Sequence, residues 1–361
     1  MSRNALREIC IFAHILLVYH MTNRKKTTLF LLLLGIIVAT GLIIYSFFYA
    51  RFSTSNDHAY IYIDRDDNID SVYVKLEATA SPSRIMMFKL LAKATEYDQN
   101  VKTGKYETGN GLTPAILINN LRNKIQVPVR LMVPSARTFE RFVSQIAKAI
   151  EPDSAELLRC IQDSSQWTKY GHNQATISCI FIPNTYEVYW DITPEQFMNR
   201  MKKECDRFWN EDRLLKAQQQ GLSVIEVMTL ASIVDRETAN DGEKPSIAGL
   251  YLNRLRKGML LQADPTVIYA LQQMGIRRVL KKHLKVDSPY NTYLYKGLPP
   301  GPICIPEVSS IEAVLNAEKN NYIYMCAKED FSGTHNFASS YSQHLRNARK
   351  YTRALNQRGI K

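Results

Sequence analysis

The sequence is poor in the features that mark several large function classes. Only six cysteines occur in 361 residues: Cys10, Cys160, Cys179, Cys205, Cys304 and Cys326. They are scattered and form no CxxC, so a disulfide framework, a thiol-redox motif and zinc-finger spacing are all missing. Most are expected to be buried apolar residues. Cys304 and Cys326 have no close histidines, and His335 and His344 do not stand at zinc-ligand spacing, so no metal and no cofactor are expected. No glycine-rich phosphate loop and no RNP pattern occur, which places nucleic acid last among partners. Acids are in deficit, 34 against 46 basic residues, for a formal charge of +12. The basic excess persists beyond residue 50 and favours an anionic lipid or a carboxylate-bearing polymer.

What is present begins with residues 27–50, TTLFLLLLGIIVATGLIIYSFFYA, uncharged and long enough to cross a bilayer. Arg24, Lys25 and Lys26 precede it, which puts the N-terminus (residues 1–26) in the cytoplasm and the bulk of the chain outside. No small-residue cleavage site follows, so an uncleaved anchor is expected. A second apolar run, residues 9–19, is too short to span. Met21 opens a normal lead-in, so residues 1–20 read as a gene-model extension.

Residues 51–57 form a polar stalk. Residues 58–133 read as a small α/β module: a strand at 60–63, helices at 68–78 and 83–97, a turn at Gly104-Lys105, a Thr113-capped helix and a return strand at 127–133. Residues 134–361 read as a second, mixed α+β domain. It opens with a helix at 135–150 and one more turn at 156–160. A strand is expected in 175–190, broken by Pro183-Asn184, then helices at 193–210 and 211–220. Near the end come a helix at 310–317, a strand at 322–326 and a basic helix at 340–358. Residues 288–306, SPYNTYLYKGLPPGPICIP, hold five prolines and two glycines beside hydroxyl and amide side chains. They read as a stiff loop, suited to a polyol ligand or to bracing the fold.

The chain is organised around residues 223–266. Ser223 followed by Glu226 is a capping box, and the next turns are apolar on every side, as in a buried helix. The helix ends in Asp235, Arg236 and Glu237. Glu237 continues the stripe of Leu230 and Ile233, whereas Asp235 points to roughly the opposite side. A carboxyl at the rim of an apolar interior keeps its proton toward neutral pH and can serve as a general acid. The plainer reading is a helix-end acid paired with Arg236 or a lysine. A second helix, 246–257, follows Pro245 and stops at Gly258.

Several motifs occur in fixed order: LASIVDRET, LYLNRLRKGMLLQADPTVIYAL, SPYNTYLYKGLPPGPI and YIYM…THNFASSYSQH. Together they resemble the endolytic murein transglycosylases of the MltG (YceG-like) family, most closely from about residue 222 to 351. The resemblance implies an α+β protein with one N-terminal transmembrane helix, a LysM-like module at 58–133 and a catalytic domain at 134–361. It implies cleavage of the MurNAc–GlcNAc β-1,4 bond in nascent peptidoglycan, leaving 1,6-anhydro ends, at the inner (cytoplasmic) membrane beside penicillin-binding synthases. The family's catalytic glutamate falls on Glu237. The sugar groove is expected to take Asn253, Arg254, Gln262, Asp264, Thr266, Tyr290, Asn291, Thr292 and Tyr293, with loop bracing as the alternative for each. Family members often carry Glu where this chain has Asp235, and Asn where it has Leu345. Roles for Asp235, Glu243, His335 and His344 stay open. A water-using hydrolase with Asp235, Glu243 or Asp264 as base, or a non-catalytic wall-binding scaffold, are the alternatives.

Overall fold

A computed structural model describes residues 3–53, 59–109, 111–273, 275–276 and 279–359; within the first helix it describes side chains at Ile11, His14 and 24–45. Most of the expected stalk, residues 54–57, lies outside the described residues. The chain divides into two compact units, residues 1–127 and 128–361.

The first unit opens with helix α1 (Arg3–Phe48), whose segment Arg24–Tyr45 is long and apolar enough to cross a membrane and has no part buried in the protein. It continues through β1 (Tyr60–Ile63), α2 (Ile69–Glu77), α3 (Pro82–Ala94), β2 (Gly104–Glu107) and α4 (Pro114–Arg122). Asn68 caps α2 by accepting from the Ser71 N–H at 3.0 Å. Thr113 caps α4 by accepting from the Ile116 N–H at 3.3 Å. Pro82 and Pro114 stand at first-turn positions that need no N–H. Ile61, Ile63 and Tyr106 face Val72, Leu76, Phe88 and Leu121 in one core.

The pairing of β1 corrects the expectation. Its partner is β2, with Tyr60 opposite Glu107 and Ile63 opposite Gly104. The strand expected to return to it, at 127–133, pairs elsewhere. A four-residue strand with a single inward apolar side chain, Tyr106, offers no alternation to read.

In the second unit β3 (Val129–Val133) pairs antiparallel with β4 (Asn184–Val188), Leu131 opposite Tyr186. Helices α5 (Phe139–Ile146), α6 (Ser154–Gln162), α7 (Ser164–Lys169) and α8 (Pro194–Phe208) complete this layer, around Phe142, Phe181, Phe197 and Met198. Helix α5 starts later than expected because Thr138 accepts from the Arg141 N–H. The strand expected from 175 starts only at Asn184. Asn173 Oδ1 takes the N–H groups of Ala175 and Thr176, residues Ile177–Ile180 wind into a 3₁₀ turn, and Pro183 has no N–H for a ladder.

The rest of the unit comprises α9 (Glu211–Gln220), α10 (Val224–Glu237), α11 (Lys244–Arg256), α12 (Asp264–Ala270), α13 (Val308–Leu315), β5 (Tyr324–Ala327), β6 (His335–Ala338) and α14 (Tyr341–Gln357). Helix α10 has the expected capping box: Glu226 N–H to Ser223 Oγ at 3.3 Å, Ser223 N–H to Glu226 Oε2 at 2.7 Å. It packs against α9, α11, α12 and α13. Val227, Met228, Leu230, Ile233 and Val234 are fully buried, each stabilising the unit by about 1.5–3 kcal/mol. Buried Ser232 donates to the Thr229 carbonyl and accepts from the Ile303 N–H at 2.9 Å, tying the proline-rich loop to α10. Helix α11 lies tightly on the chain before β5: a Cβ at Gly249 would stand 2.3 Å from the Glu318 carbonyl oxygen. Gly258, at φ +63°, takes the left-handed turn that ends α11. Cys179, Cys205 and Cys304 are buried, and Cys160 and Cys326 half-buried, all as free thiols.

Candidate active site

The last three residues of α10 face three ways, because successive helical residues are about 100° apart. Asp235 turns to α13. Its Oδ1 accepts from the Ser310 hydroxyl at 2.7 Å and the Glu307 N–H at 3.2 Å, which fastens the start of α13 to the end of α10. Burial pushes its carboxyl up from the ordinary range, while Ser310 and the Glu307 N–H pull it back. Buried Lys244 stands 3.9 Å from it and 2.7 Å from Asp241.

Glu237 turns the other way, into a cleft of about 240 Å³. Its carboxyl is enclosed by protein yet keeps an opening to that cleft. Desolvation raises its pKa from 4.5 to about 7; Tyr251 and Arg254 oppose the rise and the Asp264 charge adds to it. The Tyr251 hydroxyl donates to Glu237 Oε1 at 2.6 Å. The bond occupies one oxygen and leaves Oε2 to carry the proton. Tyr251 itself is buried and, beside the Glu237 charge, stays a phenol with a pKa far above its usual value.

Of the residues expected in the groove, Arg254, Gln262, Asp264 and Tyr293 line the cleft with Glu237. The Tyr293 hydroxyl donates to Asp264 Oδ1 at 2.5 Å. Arg254 is a buried strut: it donates to the carbonyls of Ile323, Leu260 and Leu261 and lends Glu237 a nearby positive charge. Gln262 sits at φ +52°, held by its N–H to the Thr292 carbonyl at 3.0 Å.

The other five expected residues brace the walls. Asn253 donates to the carbonyls of Asn320 and Tyr322. Asn291 is fully buried, donates to the carbonyls of Leu284 and Val286, and accepts from the Tyr293 N–H. Thr266 and Thr292 bond each other at 2.8 Å and fix Ala263. Tyr290 packs on Tyr269, ring centroids 4.6 Å apart.

The far wall holds Met325, Cys326, Ala327 and His335, from β5 and β6. Glu243 accepts from the His335 N–H at 2.8 Å and contacts its Nδ1 at 3.2 Å. A carboxylate can only accept, so Nδ1 is the donor of this contact. His344 stacks on Tyr324 instead, with its Nδ1 buried and unpartnered, and burial lowers its pKa. Tyr251, Leu261, Met325, Cys326 and Ala327 were missed from sequence. One signal was available: a tyrosine on a buried helical stripe needs a partner for its hydroxyl. Among the described residues no three His, Cys, Asp or Glu side chains are grouped to hold a metal.

Fold and cleft together define an α+β protein whose central helix ends in an enclosed, proton-holding carboxyl, Glu237, that opens onto a cleft. The chain belongs to the YceG-like family, whose model matches residues 61–350. It is 36% identical over 168 residues to an endolytic murein transglycosylase of Bacillus subtilis, 46% of each chain. It is 24% identical over 330 residues to one of Streptococcus pneumoniae D39, 83% of this chain and 59% of that one. The chain thus spans about half the length of these curated relatives. The crystal structure of a YceG-like protein of Listeria monocytogenes is similar at TM-score 0.53 and 28% identity, covering 81% of this chain and 99% of that one.

Proposed function

We propose that this chain is a membrane-anchored lytic transglycosylase that cuts the β-1,4 bond between MurNAc and GlcNAc within peptidoglycan strands. The observation that carries the reading is Glu237, a carboxyl that keeps its proton to about pH 7 and opens onto a polar cleft. Its relatives' name, endolytic murein transglycosylase, supports the same reaction.

In this mechanism Oε2 of Glu237 gives its proton to the glycosidic oxygen as the C1–O bond breaks and C1 gains oxocarbenium character. The glutamate, now charged, is held by the Tyr251 hydroxyl and the Arg254 charge. It then takes the proton of the muramyl C6 hydroxyl, whose oxygen closes on C1 as a 1,6-anhydro ring. No water is consumed, and the intramolecular attack gains from proximity. Asp264 and Tyr293, bonded to each other in the cleft, offer a carboxylate and a ring edge to sugar hydroxyls.

The apolar helix would anchor the protein in the inner (cytoplasmic) membrane, with the basic residues Arg24, Lys25 and Lys26 on the cytoplasmic side. Residues 59–127 would serve as a LysM-like holder of glycan. A strand-cutting enzyme so anchored would act beside penicillin-binding synthases and limit strand length.

A second reading has one observation in its favour. Asp264 shares the cleft with Glu237, so it could activate a water and make the enzyme a hydrolase. The test is incubation of uncrosslinked strands with the full chain in detergent and with its Glu237→Gln form. New anhydro-muramyl ends with the wild type alone are expected; equal cleavage by Glu237→Gln would overturn the role of Glu237.

A further inference from the structure

Arg236, between Asp235 and Glu237, faces neither α13 nor the cleft. It lines a hollow of about 70 Å³. A second hollow, of about 170 Å³, shares Arg137, Tyr269 and Ile303 with the first, so the two form one groove. Among the described residues Arg137 has no hydrogen bond or ion pair, and Arg236 comes no nearer than 3.9 Å to a carboxylate, that of Asp235. That carboxylate is already committed to Ser310 and Glu307. Among the described lining residues Glu140 is the one carboxylate, and it is exposed. The groove therefore keeps a positive balance and two guanidinium forks without an acceptor.

Helix α12 is the wall between this groove and the cleft. Its first residue, Asp264, lines the cleft. Pro265, Ile268 and Tyr269, spaced i, i+3, i+4, line the groove. A helix is about 10–12 Å across with its side chains. A peptide of four or five residues reaches about 13–18 Å when extended.

We propose that this groove binds the carboxylate end of the stem peptide borne by a muramyl residue in the cleft. The stem leaves the sugar at its lactyl group, crosses α12, and presents its carboxylates to Arg137 and Arg236. The inference rests on peptidoglycan being the substrate.

Binding to the full-length Glu237→Gln protein in detergent separates the two ideas, because it needs no turnover. The probes are uncrosslinked peptidoglycan strands with intact stems and the same strands cut at the lactyl amide, whose remaining carboxylate is too short to cross α12. Arg137→Gln/Arg236→Gln should lower the preference for stem-bearing strands by about thirtyfold, two arginine–carboxylate pairs at the upper end of their usual worth. Arg137→Lys/Arg236→Lys should retain part of the preference, since charge survives without the fork. An unchanged preference in the Gln double variant, while the wild type cleaves strands, overturns the groove and leaves the enzyme reading intact. Failure of the Arg-intact protein to bind either strand overturns the substrate class and the groove with it.

Discussion

The carboxyl that suits Glu237 for chemistry should burden the fold at alkaline pH. Its pKa rises from 4.5 to about 7 on folding, chiefly through desolvation. Between those values the folded state holds a proton that the unfolded chain has released, so stability falls as pH rises across that window. The full cost is reached above pH 7 and is about 3 kcal/mol, at about 1.4 kcal/mol for each pH unit. Glu237→Gln removes the charge but keeps an oxygen to accept from Tyr251. It should match the wild type within about 1 kcal/mol at pH 5 and exceed it by about 3 kcal/mol at pH 8. For a unit of this size that is a melting temperature higher by about 6–12 °C. Tryptophan fluorescence reads the right part of the molecule: Trp167, Trp190 and Trp209, the three tryptophans of the chain, all lie in residues 128–361. An equal gain at pH 5 and pH 8, or a loss at pH 8, would refute the claim that Glu237 is held protonated by burial.

Three other outcomes follow from the same geometry. Tyr251→Phe removes a hydrogen bond that favours the Glu237 carboxylate, so the alkaline limb of a kcat/KM profile should move up by about one to two pH units; an unmoved limb would detach Tyr251 from the acid. Asp235→Asn should lower stability at pH 7 by about 1–3 kcal/mol through the α10–α13 tie and leave the cleavage rate of folded protein within about threefold of wild type; a loss as deep as that of Glu237→Gln would show that the wrong acid was assigned. Asn291→Ala should cost about 2–3 kcal/mol in the same fluorescence melt, since it strips partners from two carbonyls and the Tyr293 N–H; an unchanged melt would contradict its bracing role.

The central helix and its acid were legible in sequence because every signal was local. A capping box, an all-apolar turn pattern and two acids about 200° apart are read within fifteen residues, and the structure keeps them: Asp235 on α13, Glu237 in the cleft. Arg254, Gln262 and Asp264, expected at the groove from the family resemblance, line the cleft. What failed was whatever depends on distant chain. His335 and the β5 side chains reach the cleft from some ninety residues away, and Glu243 is joined to His335 by a contact that no periodicity announces. Asn253, Asn291, Thr266 and Thr292 carry groups that could bind a sugar. They are spent on backbone, because the irregular chain around Ala263, Leu284–Val286 and Asn320–Tyr322 leaves carbonyls and N–H groups that side chains must satisfy. The β1 partner was misread because Gly104-Lys105 looks like a turn, although it begins a strand.

The central claim is that Glu237 cleaves the glycan without water, and isotope labelling tests it most directly. Strands would be cut by the full chain in H₂¹⁸O and the new muramyl ends weighed. The account predicts ends that are one water lighter than reducing ends and carry no ¹⁸O. Reducing ends bearing one ¹⁸O would contradict it and assign Asp264 the task of activating water.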